Sequence, residues 1–199
     1  MKRFLQALSL SLLLPALASA ELATYKVDAD HSGVGFSVRH FVSNVPGRFR
    51  DFDGIIKYDR QNPAASSVEF TVKAASVDTS NNDRDEHLRG KDFFDVQSFP
   101  TLTFTSTKVS AKDANNLDVT GNLTLHGVTK EVTIPVELLG SMKTPTGEKA
   151  GFETAFTINR KDYGIVWNRV LDAGGSVLGD DVKVSISIEG NRQMEKPAQ

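Results

Sequence analysis

The chain has 199 residues, with 23 lysines and arginines against 25 aspartates and glutamates, four histidines, no cysteine and a formal charge of −2 at pH 7. That length supports one substantial core, and without thiols neither disulfides nor thiolate chemistry is available, so packing and backbone pairing must hold the fold. The near-balanced charge, with Lys and Arg scattered, excludes the basic stripe that a nucleic acid needs and the polybasic block that holds anionic lipid heads.

The first twenty residues read as an export signal: Lys2 and Arg3, an apolar run from Phe4 to Leu17, then Ala18-Ser19-Ala20 as a small-residue cleavage site. The run is shorter than the roughly 20 apolar residues of a bilayer span. Cleavage after Ala20 is expected to leave a periplasmic protein with no stable membrane insertion, one domain over 21–191 and a frayed tail over 192–199. Losing Lys2 and Arg3 leaves 21 basic against 25 acidic residues, a charge of −4.

From there the apolar period is two. Tyr25 and Val27, then Val34, Phe36 and Val38, then the segment Phe49 to Tyr58, then Val68, Phe70 and Val72 read as strands with one buried face. Only Asn82 to Val96 departs from that period, and it reads as a short helical crossover with Asn81 or Asn82 as N-cap. Alternation resumes at Leu102 and Phe104, through Leu117 to Leu125, Val132 to Leu138, Phe152 to Ile158 and Val182 to Ile188. His126-Gly127-Val128-Thr129 reads as a hairpin; Arg60 to Pro63, Lys112 to Asn116 and Pro145 to Gly147 are polar breakers. About eight or nine strands with short turns predict an all-β antiparallel barrel or sandwich.

An eight-stranded barrel is just wide enough either to be filled by its own side chains or to hold one small ligand. The inward set is rich in phenylalanine, with eleven of the twelve outside the signal and a single tryptophan. Phase and size select Phe36, Val38, Phe49, Phe70, Val72, Phe104, Leu123, Val132, Ile134, Phe156, Ile158 and Trp167 as wall residues of a tunnel, with a solid core as the alternative.

Four blocks carry a family resemblance: Phe36-Ser37-Val38-Arg39-His40, then Arg84-Asp85-Glu86-His87-Leu88-Arg89 with Asp92-Phe93-Phe94-Asp95-Val96, then Gly121-Asn122-Leu123-Thr124-Leu125-His126-Gly127-Val128-Thr129-Lys130, then Arg160-Lys161-Asp162-Tyr163-Gly164. In this order they resemble the YceI-like family. The resemblance implies an extended, lipocalin-like antiparallel β-barrel with a short helical crossover. It further implies an interior that binds a polyisoprenoid lipid or isoprenoid quinone, and a place in periplasmic envelope or stress physiology.

His31, His40, His87 and His126 lack i, i+4 or i, i+2 spacing to one another, so no metal site is expected. Gly174-Gly175-Ser176-Val177-Leu178 ends in leucine where a nucleophile elbow needs glycine, and no catalytic set or cofactor is expected. Arg84, His87 and His31 are the candidates to meet a polar head at the rim; the alternative for Arg84 and Asp85 is to pair together or with strand-end carbonyls and pin the crossover. Three readings stand: a carrier or reservoir for an isoprenoid lipid or quinone, which is preferred; an envelope hydrolase or isomerase; and a stress-protective interaction protein with a filled barrel. A homodimer is left open.

Overall fold

The computed structural model describes residues 22–169 and 177–194. The export signal over 1–20 and the end of the expected tail lie outside those residues. Eleven strand segments and one α-helix follow in chain order. They are β1 (Ala23–Val27), β2 (Gly33–His40), β3 (Ser43–Phe49), β4 (Phe52–Tyr58), β5 (Ser67–Lys73), β6 (Val77–Asp78), α1 (Asn82–Arg89), β7 (Thr101–Ala111), β8 (Asn116–Leu125), β9 (Val128–Thr144), β10 (Gly147–Asn159) and β11 (Leu178–Gln193).

The segments make eight barrel strands. β1 and β2 are one strand interrupted at Asp28–Ser32, and β3 and β4 are another interrupted at Arg50 and Asp51; their pairings run in the same sense on both sides of each break. Sequential antiparallel neighbours then lead from β4 through β5, β7, β8, β9 and β10 to β11. Closure comes from β11, which pairs with β2 along its first half and with β1 from Gly190 to Gln193. The architecture is therefore a closed eight-stranded antiparallel β-barrel with one short helix, and closure removes most of the edge that an open sheet would present.

β3 departs from the sequence expectation, which began this strand at Phe49. Its sequence Ser43-Asn44-Val45-Pro46-Gly47-Arg48-Phe49 is rich in turn formers, yet it completes a full ladder with β2, from Val34↔Phe49 to His40↔Ser43. Tertiary pairing overrides local propensity here. β11 also carries regular pairing through Arg192 and Gln193, two residues into the expected tail.

The β8–β9 hairpin has a two-residue turn, His126 and Gly127, with φ of 50° and 73°. Positive φ at both positions is the type I′ geometry that matches strand twist. Helix α1 is capped as its sequence predicts, the Asn81 side chain accepting from the Arg84 N–H at 2.9 Å.

The wall is interrupted between β9 and β10. Ladder pairs between β9 and β10 run from Thr144↔Gly147 only as far as Glu137↔Glu153. Beyond them, among the described residues, β9 from Val128 to Val136 pairs with β8 and β10 from Thr154 to Asn159 pairs with β11. Pro135 has no N–H to donate, which suits a strand edge without a ladder partner. The next bridges across the gap come from the turn after β10: Lys130 to Asp162 at 3.5 Å, and His126 Nδ1 to the Tyr163 carbonyl at 3.0 Å.

Candidate functional site

Inward residues from every barrel strand surround an almost wholly apolar cavity of about 430 Å³. Its wall runs along β11 from Leu178 to Ile188, a contour of roughly 33 Å at about 3.3 Å per residue. Phe36, Phe70, Phe104, Leu123, Phe156 and Val184 point inward by register yet remain half-buried, because the lumen leaves part of each side chain uncovered.

Glycines keep the rings against the wall. An added Cβ on Gly54 would stand 2.6 Å from Phe70 Cδ2, and one on Gly121 would stand 2.7 Å from Phe104 Cζ. A Cβ on Gly47 would overlap the Phe36 ring. Each ring lies across a glycine of the neighbouring strand, so it covers backbone and takes less of the lumen.

Eleven of the twelve expected wall residues line the cavity: Phe36 and Val38 from β2, Phe49 from β3, Phe70 and Val72 from β5, Phe104 from β7, Leu123 from β8, Ile134 from β9, Phe156 and Ile158 from β10, and Trp167 from the segment after it. Val132 is the correction. It shares their phase but pairs with Gly121, and the Phe104 ring that lies over that glycine forms the wall there. Lining residues outside that set include Val45, Leu88, Phe94, Leu178, Val182 and Val184. Val182 and Val184 on β11 follow the same alternation and were legible; Leu88 and Phe94 enter from the crossover, where period two gives no signal.

Of the three rim candidates, Arg84 and His87 border the cavity and His31 does not. His31 is exposed, its Nδ1 3.1 Å from Asp28 Oδ2, in a cluster with Glu189 and the Lys149 ammonium. Asp28, His31 and Glu189 place three donor atoms within 4.8 Å of one another, but Lys149 already supplies the cation between the two carboxylates.

The crossover is pinned through Thr79. Asp85, buried, accepts from the Thr79 N–H at 2.8 Å and from its hydroxyl, while Arg84 Nε donates to that hydroxyl and Nη2 to the Thr79 carbonyl, each at 2.7 Å. Arg84 and Asp85 thus meet on one threonine. Arg89 adds bonds to the carbonyls of Ala75 and Val77. His87 lies beside the lumen with its Nε2 3.0 Å from Asp92 Oδ2 and its ring edge-on to Phe93 and Trp167.

The same end is shaped by Arg160, which is 4 % exposed. Its guanidinium donates to the carbonyls of Ile165, Trp167 and Gly179 at 2.8 to 2.9 Å and reaches Asp180 at 3.2 Å. Burial pulls its pKa down, against the Asp180 carboxylate, which raises it. At the opposite end the Tyr25 hydroxyl donates to Glu148 at 2.9 Å and Arg192 pairs with the same carboxylate at 2.7 Å, so Arg192 first and Tyr25 second hold Glu148 below its ordinary value.

A closed barrel with a greasy lumen and a polar crossover beside it defines a class, the small barrel proteins built around an internal apolar cavity. The YceI-like domain profile matches residues 25–190, and the chain belongs to the YceI-like family. It is 43 % identical to Protein YceI of Salmonella arizonae over 197 residues, 97 % of this chain and all of that one. Among solved structures, Burkholderia cenocepacia BcnA superposes with a TM-score of 0.73 at 26 % identity, over 82 % of this chain and 98 % of that one. A polyisoprenoid binding domain from Saccharophagus degradans, implicated in plant cell wall breakdown, shares the fold with a TM-score of 0.62 at 16 % identity, over 87 % of this chain and 100 % of that one.

Proposed function

We propose that the protein holds an isoprenoid lipid or isoprenoid quinone in its lumen and serves as a carrier or reservoir for it in the periplasm, after removal of residues 1–20. The observation that carries this reading is the apolar cavity of about 430 Å³ inside the barrel, within the roughly 300–1,000 Å³ of small-molecule sites. Each five-carbon prenyl unit moved from water into such a wall gains about 3–4 kcal/mol gross, at about 0.8 kcal/mol per methylene. Several units therefore bind with few hydrogen bonds, less what ordering the tail takes back.

The tail lies along Phe36, Phe70, Phe104 and Phe156, and the polar head rests at the α1 end near His87 and Arg84. The polyisoprenoid binding domain that shares this fold supports the ligand class. No side-chain chemistry is asked of the site: it binds, orients and shields.

Organic extraction of the protein purified from periplasm, followed by mass spectrometry, tests the reading. A prenyl-chain lipid recovered near one per protein is expected. Recovery of none, together with no uptake of a fluorescent prenyl probe, overturns it.

A further inference from the structure

The cavity and its crossover leave the tip of the β2–β3 hairpin unexplained. Val42 is 88 % exposed, Phe41 is 47 % exposed, and Val166 on the segment after β10 is 64 % exposed. They belong to one rim. The Phe41 N–H donates to the Val177 carbonyl, Leu178 pairs with His40, and the Asn168 side chain bonds both the N–H and the carbonyl of Leu178. His40, Trp167 and Leu178, the immediate neighbours of these exposed side chains, line the lumen. The exposed apolar tip is thus continuous with the apolar wall.

We infer that this rim is a membrane-docking surface, and that Phe41, Val42 and Val166 enter the interfacial layer of an anionic phospholipid bilayer to bring the lumen's mouth against its lipid. The inference rests on the proposed lipid-binding reading. Three observations fix the occupant. Phe41 and Val42 sit on a narrow hairpin tip with Val166 on the neighbouring segment, and these three side chains fall far short of the roughly 800 Å² per partner that a stable protein interface buries. From Gly33 to Arg50 the sequence holds no carboxylate, so nothing on the hairpin repels anionic head groups. Arg39, exposed and anchored by its Nε to the Phe41 carbonyl at 3.0 Å, places a guanidinium beside the tip. With no polybasic block to add attraction, apolar insertion must supply most of the hold, and contact is reversible.

The test is co-sedimentation of lipid-free protein with vesicles of phosphatidylethanolamine and phosphatidylglycerol. The wild-type chain is expected to pellet with them, Val42→Ser to lose about tenfold in partitioning, and Val42→Trp to gain severalfold. Leu139→Ser/Met142→Ser, which alters exposed apolar side chains elsewhere on β9, is expected to bind as wild type. Circular dichroism and probe uptake from detergent are expected to be unchanged in Val42→Ser, whose exposed side chain has little packing to lose. Wild type that stays in the supernatant, or Val42→Ser that pellets equally, overturns the inference. So does Val42-dependent dimerisation without vesicles, which would assign the tip to a second copy. Vesicle binding is measured without ligand, so its failure is distinct from a failure to recover lipid by extraction.

Discussion

The phenyl ring of Phe36 on β2 occupies the space where a side chain on Gly47 of β3 would begin. The two belong to one antiparallel ladder, paired directly across it. Gly47→Ala therefore has to drive the ring into the lumen. A stability loss of about 1–3 kcal/mol is expected, as for overpacking in a fitted site, with weaker uptake of a prenyl probe. Adding Phe36→Ala to the same chain should recover part of the uptake, since the two changes share one volume. Urea melts and probe titrations of the four variants in the cycle check this; additive effects on uptake would refute the shared-volume account.

Filling the lumen should separate binding from folding. Val184 faces Phe36 on one side and Phe156 on the other, and its half-exposed side chain looks into the cavity. Val184→Trp is expected to reduce extractable lipid about tenfold or more while the far-ultraviolet spectrum stays that of the barrel. Lipid recovered at wild-type yield would show that the tail lies elsewhere.

Arg160 should be among the costliest positions outside the apolar core. Its guanidinium satisfies the carbonyls of Ile165, Trp167 and Gly179 in a buried setting. Arg160→Met leaves those acceptors without their donor, and a loss of about 3–5 kcal/mol follows from breaking a buried charged network. In a domain of this size that corresponds to a fall in Tm of about 6–20 °C, readable by differential scanning fluorimetry. A shift below about 2 °C would mean that water replaces the guanidinium at no cost.

Acid should weaken the fold through two aspartates. Asp78 is lowered from 3.8 to about 2, first by the Ser80 N–H and then by Arg48 and Arg50, which it also pairs with at 2.9 and 2.6 Å. Asp28 is lowered to about 2, first by the Asn191 amide and then by His31. Both folded values lie below the unfolded one, so the folded chain holds fewer protons between them. Their contribution is complete above about pH 4 and is lost as pH falls towards 2. Asp28→Asn/Asp78→Asn should flatten the pH dependence of the urea midpoint across that window. An unchanged slope would assign acid lability to other carboxylates.

The strands were legible wherever period two was unbroken, because a sheet with one covered face imposes that period on the chain. Helix α1 and its Asn81 cap were legible for the complementary reason. β3 was not: Asn44, Pro46 and Gly47 speak for a turn, and only the β2 ladder and the space required by Phe36 explain them. Wall residues on the strands followed from phase, except at Val132, where a ring from two strands away covers the position; Leu88 and Phe94 come from the crossover and had no such signal. His31 could not be separated from Arg84 and His87 by residue type, since all three offer ring or guanidinium nitrogens to a polar head and their faces depend on the break at Asp28–Ser32 and on the crossover.

By itself the sequence determined the strands with unbroken period two, which face of each is apolar, the turns between them and where a helix interrupts them, since these follow from local periodicity and backbone preference; β3 and its turn were the exception. Whether the apolar faces meet as a solid core or stand apart around a lumen was decided only in three dimensions. That outcome depends on rings lying across glycines of neighbouring strands. Those relations join residues distant along the chain, and no local pattern encodes the space left between them.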